Sequence, residues 1–166
     1  MTITFTVYGT PRPAGSKRGF INKHSGRICM VDASGENGRM WRQDVARAAL
    51  EAMREQAQGQ LLDGPLELVL ALHMPRPKSH YRSGGRLLKE TAPKWHVHKP
   101  DATKLMRAVE DAMTGIVWRD DSQVARQYVE KVYCEATELC GCSVVVRQIE
   151  EPAGGVLQPL QTERNK

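Results

Sequence analysis

Hydrophobic and polar positions alternate in several segments of the chain, and this alternation predicts strands. Residues 2–8 alternate large apolar side chains with threonine and tyrosine, which is typical of a half-buried strand. Residues 66–74 alternate leucines with a second, partly apolar set, so this strand is predicted to be more deeply buried. Residues 142–149 carry consecutive valines and predict another strand. Residues 124–134 suit a helix or a strand, and their β-branched and aromatic residues favour a strand.

Two other segments repeat apolar residues every three or four positions, which predicts amphipathic helices. The first spans residues 38–58, with arginines on its polar side. The second begins after Pro100 and stops at Gly115, and its apolar stripe consists of Leu105, Ala108, Val109, Ala112 and Ile116. The predicted order is therefore β-α-β-α-β-β, an α+β fold whose helices pack on a mixed sheet. Residues 1–150 are expected to form a single domain, and residues 151–166 a flexible tail.

The chain is basic, with 24 Lys and Arg residues against 19 Asp and Glu and a net charge of +5, which favours an anionic partner. Only 5% of the residues are aromatic, which argues against a single-strand binder that works by base stacking. Basic residues concentrate in residues 11–23 and 75–100, which are either solvated loops or arms that contact a polyanion. The candidates for that contact are Arg12, Lys17, Arg18, Lys78, Arg82, Lys99 and Lys104.

Other features of the sequence bear on location and on metal binding. No apolar run is long enough to cross a bilayer and the N-terminus lacks a signal-peptide pattern, so a cytoplasmic location without a membrane partner is expected. The four cysteines are Cys29, Cys134, Cys140 and Cys142. No second pair follows at zinc-finger spacing, so reduced cysteines near strands are expected rather than a zinc site. His96 and His98 are likewise expected to be ordinary loop histidines.

Carboxylates stand on both sides of the second predicted helix. Asp101 precedes it, and Asp120 and Asp121 follow it. If the chain doubles back after Gly115, the three carboxylates converge beside Lys104 and Arg107 and form a seat for a divalent cation and a phosphate. The competing interpretation is structural: Asp101 is an N-cap, Asp120 and Asp121 form a turn, and Arg107 pairs with Glu110.

The sequence resembles the RusA family of Holliday-junction resolvases, which are phage- and prophage-associated endodeoxyribonucleases. The residues that carry the resemblance are Lys99-Pro100-Asp101, the helix body from Ala108 to Gly115, and Asp120-Asp121-Ser122-Gln123-Val124. Two positions differ from the family pattern, because Thr103 replaces its second aspartate and Arg107 replaces a lysine. Thr103 offers a hydroxyl without charge, whereas Arg107 keeps a positive charge that can hold a phosphate bidentately.

The resemblance implies a metal-dependent endodeoxyribonuclease that resolves four-way DNA junctions by paired cuts. Asp101 and Asp121 would bind Mg²⁺ or Mn²⁺, with Asp120 as a third ligand or an orienting group, while Arg107 and Lys104 would hold the scissile phosphate. The family acts as a homodimer, and the basic residues named above would bind branched DNA. The alternatives are a non-catalytic, structure-selective DNA-binding protein and a metal nuclease that acts on flaps, other branched substrates or RNA.

Overall fold

The computed structural model describes residues 1–15, 17–32, 35–85, 87–136 and 139–150. The predicted tail at 151–166 therefore lies outside the described residues. The elements, in order, are strands β1 (Thr2–Tyr8), β2 (Lys17–Ile21) and β3 (Ile28–Asp32), helix α1 (Gly35–Ala57), strand β4 (Leu66–Met74), helix α2 (Ala102–Met113), and strands β5 (Val124–Tyr133) and β6 (Gly141–Gln148). Short 3-10 turns occur at Lys78–His80 and Asp121–Gln123.

The main sheet has four strands in the order β1-β6-β4-β5. Strand β4 pairs in parallel with β5 and antiparallel with β6, and β1 pairs antiparallel with β6. The sheet is therefore mixed, and the predicted α+β class is confirmed. The strands predicted at 2–8 and 66–74 are confirmed at those bounds, and the ambiguous segment after residue 124 is a strand as predicted.

The core forms where the two helices pack on the sheet. Every second residue of β4 is buried, including Leu66, Leu68, Leu70 and Leu72, each with no exposed surface. The buried side chains of α2 and of α1 belong to the same cluster of core residues. Alternation along β4 and helical spacing along α2 thus place both apolar faces against each other. In the described part of the chain, no helix has the length and apolar character that a membrane crossing requires.

The prediction that residues 11–23 form a loop is wrong in its second half. There β2 pairs antiparallel with β3, and the two strands form a separate two-stranded sheet. The apolar run that begins at Ile28 supplies the partner strand. Asn22 closes the turn between them, because its backbone N–H donates to the carbonyl of Arg27 at 2.9 Å. Strand β2 contains Lys17 and Arg18, whose side chains lie outside the described part of the structure.

The expectation of reduced cysteines is wrong for two of them. Cys134 and Cys140 form a disulfide, with their Cα atoms 5.2 Å apart. The pairing is possible because β5 ends and β6 begins at the same end of the sheet, so that the two cysteines lie close together. Cys142 is a free thiol, and burial raises its pKa to about 12. The Cys29 side chain lies outside the described part of the structure.

Leu70→Ala is expected to lower the free energy of unfolding by about 2–5 kcal/mol, because it leaves a cavity at the centre of the buried face of β4. Leu50→Ala is the matched control, since the Leu50 side chain on α1 is 42% exposed, and its cost should stay below about 1 kcal/mol. Urea unfolding followed by circular dichroism measures both values. Equal losses in the two variants would contradict this assignment of the core.

Candidate active site

Asp101 stands at the N-cap position of α2, but its side chain makes no capping hydrogen bond. The carboxylate is 62% exposed, and Lys104 Nζ lies 3.6 Å from Asp101 Oδ2. The competing interpretation of Asp101 as a capping side chain is therefore wrong, although its position in the chain is the N-cap. The carboxylate remains available to bind a ligand from solvent.

Asp101 opens into a cleft of about 630 Å³ between the start of α2 and the segment that follows β1. Its lining residues are Thr10, Pro11, Arg12, Pro13, Met74, Pro75, His96, Lys99, Pro100, Asp101 and Lys104. Three of the predicted polyanion contacts, Arg12, Lys99 and Lys104, thus share one surface with Asp101. The cleft combines several cations with a single carboxylate, and this favours an anionic ligand such as a phosphate.

Lys131 of β5 holds the segment that carries Asp101. Its Nζ donates to the backbone carbonyls of His98 and Pro100, each at 2.7 Å. Burial lowers the pKa of Lys131, and the charge of Asp101 opposes that shift. On the other side of the cleft, the backbone N–H of Ala14 donates to the carbonyl of Lys104 at 2.8 Å. Both walls of the cleft are therefore fixed to the main sheet or to α2.

His96 also lines this cleft, although sequence reasoning treated it as an ordinary loop histidine. Its backbone N–H donates to the carbonyl of Lys131 at 3.1 Å, and its ring lies 4.8 Å from the ring of Tyr133. Burial, followed by the charge of Lys131, lowers the pKa of His96, which favours its neutral form. His96 reaches the cleft because it pairs with β5, a strand more than thirty residues later in the chain. A local sequence pattern does not reveal such a long-range pairing.

Asp120 and Asp121 lie beyond the other end of α2 and have different surroundings. Asp120 caps the 3-10 turn, since its side chain accepts from the backbone N–H of Ser122 at 2.9 Å. Hydrogen bonding to the Ser122 side chain, and then to its backbone N–H, lowers the pKa of Asp120. Gln123 completes a capping box by accepting from the backbone N–H of Asp120. Asp120 thus has a structural hydrogen-bonding role, as the turn interpretation predicts.

Asp121 is anchored to the core at the C-terminal end of α2. Its Oδ1 accepts a hydrogen bond from Trp118 Nε1 at 3.0 Å and another from Thr114 Oγ1. The Trp118 side chain is fully buried, so this carboxylate has a fixed position. Glu110 is nearby, and burial, followed by the charge of Asp121, raises the pKa of Glu110. The sequence suggests a role for Glu110 only as a partner of Arg107.

The predicted convergence of Asp101 with Asp120 and Asp121 within one chain is wrong. The two sites are separated by α2, whose 12 residues span about 18 Å. Among the described residues, no group of three or more His, Cys, Asp or Glu side chains is placed to hold a metal ion. The chain does double back after Gly115, whose N–H donates to the carbonyl of Trp118 at 2.7 Å, but only beside the last turn of α2.

The segment that runs back along α2 is strand β5, not the segment that carries Asp120 and Asp121. Gln127 Nε2 donates to Glu110 Oε1 at 2.6 Å near one end of the helix, and Lys131 reaches the carbonyl of Pro100 at the other. A lysine therefore arrives beside Asp101 where a second carboxylate was predicted. Within one chain, Asp101 therefore lies near basic side chains, whereas Asp121 lies near Glu110.

The remaining candidates are distributed over the surface. Arg107 and Thr103 are exposed on α2. Lys78 and Arg82 lie away from Asp101, in a second cleft of about 750 Å³ that is also lined by Arg76, Tyr81, Gly85, Glu135 and Ala136. Arg82 Nη2 lies 2.7 Å from Glu90 Oε1. Basic residues therefore face solvent at several separate places, which suits an extended anionic partner.

Comparison with known proteins gives two matches. The family model described as endodeoxyribonuclease RusA matches residues 9–140 of the chain. A relative from Bacillus subtilis (strain 168), named Uncharacterized protein YqaN, is 31% identical over 150 residues, which cover 89% of this chain and 96% of the relative. The region matched by the family model contains both clefts and all three aspartates discussed above.

Glu110→Gln is expected to stabilise the protein increasingly as the pH rises above 4.5, the ordinary pKa of the glutamate side chain. The pKa of Glu110 is raised in the folded state, so its stabilising contribution is complete below the unfolded value of 4.5 and is lost as the pH rises through the folded value. Glutamine removes this loss while it keeps an oxygen for Gln127. Urea unfolding at several pH values measures the difference, with Glu55→Gln on the exposed face of α1 as control. A constant difference between Glu110→Gln and the unaltered protein would contradict the raised pKa.

Proposed function

We propose, starting from the fact that this chain belongs to the RusA endodeoxyribonuclease family, that it hydrolyses phosphodiester bonds in four-way DNA junctions. The observation that carries the proposal is the cleft at the start of α2. There an uncapped, exposed Asp101 carboxylate shares one surface with Arg12, Lys99 and Lys104. A phosphodiester backbone bound by these cations would lie next to the carboxylate.

The cations in this cleft would bind and orient the phosphate. Lys104 already lies 3.6 Å from Asp101, and a phosphate oxygen can replace the carboxylate as its partner. Arg107 is exposed on α2 one turn further along and extends the basic row. Its guanidinium can donate two parallel hydrogen bonds to one phosphate and thereby fix its orientation. Positive charges that are already in position before the reaction begins stabilise the additional negative charge that develops in the transition state.

The carboxylates of one chain do not fit a magnesium site by themselves. Mg²⁺ prefers several oxygen ligands around it, whereas Asp101 stands among cations and Asp121 lies at the opposite end of α2. We therefore propose that the site is shared between two chains of a homodimer. A two-fold axis across α2 would place Asp101 of one chain beside Asp121 of the partner subunit, and the reverse pairing would follow by symmetry.

Within this shared site, the residues of the chain have distinct roles. Asp101 and Asp121 would hold the divalent cation, Mg²⁺ or Mn²⁺, which when bound neutralises charge on the phosphate and lowers the pKa of a bound water. Asp120 would orient the turn that carries Asp121, because its carboxylate is already used to cap that turn. Trp118 and Thr114 would keep Asp121 in place through their hydrogen bonds.

One observation favours a second candidate function. Thr103 stands on α2 where the family pattern has an aspartate, and Asp101 is the one carboxylate among the described residues that line the nearby cleft. A protein that binds branched DNA without cutting it would have this composition. Competition among a four-way junction, a flap and a linear duplex, measured in EDTA, identifies the preferred substrate. Cutting after addition of Mg²⁺ then separates a nuclease from a binding protein.

Asp101→Asn and Asp121→Asn are each expected to reduce Mg²⁺-dependent cutting of a synthetic four-way junction by about a hundredfold or more, because each removes a cation ligand. Junction binding in EDTA should change by less than about threefold, since the basic contacts remain. Asp44→Asn on α1 is the control, because Asp44 pairs with Arg47 far along the chain from both aspartates. Unchanged cutting by both site variants would refute the catalytic assignment.

An equimolar mixture of the Asp101→Asn and Asp121→Asn proteins is expected to recover about a quarter of the wild-type cutting rate. Random exchange makes half of the dimers mixed, and each mixed dimer contains one intact shared site and one doubly altered site. The products should be singly nicked junctions, because the second site is inactive. Subunit exchange is verified with two affinity tags. Absence of recovery after verified exchange would show that Asp101 and Asp121 do not belong to one shared site.

A further inference from the structure

The β2–β3 hairpin exposes large apolar side chains to solvent. Ile21 is 68% exposed, Ile28 74% and Phe20 51%. Ile21 and Ile28 are direct partners in the antiparallel register, so their side chains lie on one face of the hairpin, next to the turn. Phe20, the preceding residue in β2, points to the other face. The end of the hairpin is therefore apolar on both faces.

The turn that follows this apolar end is held by its own hydrogen bonds. The Oδ1 atom of Asn22 accepts from the backbone N–H groups of His24 at 2.9 Å and of Ser25 at 3.3 Å. The backbone of Asn22 also bonds with Arg27 and with Gly26, at 2.9 and 2.8 Å. These bonds close the turn without help from the main sheet. The hairpin end can therefore present a defined shape to a partner.

The charged residues of the hairpin end itself are basic. Residues 1–31 contain no Asp or Glu, and the turn carries Lys23, His24 and Arg27, all exposed. A second copy of the hairpin would place like charges opposite each other, which disfavours self-association at this surface. The complementary partner is a polyanion that also offers apolar surface. DNA offers both where base pairs are unstacked, because base faces are apolar and phosphates surround them.

We propose that the end of the β2–β3 hairpin enters the branch point of a bound DNA junction and separates the base pairs there. Ile21, Ile28 and Phe20 contact the exposed base faces, and Lys23 and Arg27 bind the flanking phosphates. Apolar side chains inserted between base steps act in this way in proteins that kink DNA. A linear duplex has no such opening, so this contact distinguishes branched from linear DNA. The inference rests on the proposed binding of branched DNA.

The test uses a four-way junction with 2-aminopurine at the branch point, bound in EDTA so that no strand is cut. The wild-type protein is expected to raise the fluorescence severalfold, because the base loses its stacking partner. The variant Ile21→Thr/Ile28→Thr keeps two β-branched residues and hence the strand preference of the hairpin. It should lose the rise and about tenfold of its preference for the junction over a linear duplex, while duplex affinity stays within about twofold.

Two further measurements keep the outcome interpretable. Leu50→Gln, an exposed leucine made polar on α1, should behave as the wild type in both assays. A junction with 5-iodouracil at the branch point is crosslinked to the wild-type protein, and the adduct should map to residues 19–28. An adduct elsewhere, or no fluorescence rise with the wild type, overturns the proposal even if the double variant unfolds.

The wild-type cutting assay separates this proposal from the proposed function. Junction cutting in Mg²⁺ without a fluorescence rise would refute insertion of the hairpin and leave the nuclease assignment intact. A rise without cutting would support the hairpin contact and favour the binding protein over the nuclease. A wild-type protein that neither prefers nor cuts junctions would refute both.

Discussion

The burial of one face of α2 against the sheet is the constraint on which the candidate site depends. Leu105, Val109 and Met113 are fully buried in the same core as the leucines of β4, so the helix is held along its whole length. A helix packed in this way keeps its length, and Asp101 and Asp121 lie at its two ends. The packing that stabilises the fold is therefore also what keeps these two carboxylates apart.

The two ends of α2 offer opposite electrostatic environments. The Asp101 end gathers lysine and arginine side chains around one carboxylate. At the Asp121 end, Glu110 lies near Asp121, and burial, followed by the charge of Asp121, raises the pKa of Glu110. Phosphate binding suits the first environment, and cation binding suits the second. In the proposed dimer, each catalytic site combines one end of each kind. The proposed dimer would contain two such shared sites, related by the two-fold axis, and two sites would allow two cuts.

Local patterns in the sequence predicted most of the elements, because alternation and helical spacing report which face of a segment is buried. The β2–β3 hairpin was missed because each of its strands has only five residues and neither shows a regular alternation of apolar and polar residues. The site was predicted less well, since the sequence indicates that the chain turns after Gly115 but not how far the turn carries Asp121. Lys131 and His96 reach the Asp101 cleft through β5 pairing, a contact between distant segments that no spacing rule encodes.

The long segment between β4 and α2 is fastened at both ends. Arg76 donates to the carbonyls of Cys134 and Pro93, and Lys131 holds the carbonyls of His98 and Pro100. The residues between these anchors form a loop with hydrogen bonds of its own. In one of them, the backbone N–H of Arg82 donates to the carbonyl of Leu87. Insertions or deletions within that loop are expected to leave both anchors in place. The position of Asp101 therefore depends on the anchors and not on the length of the chain between them.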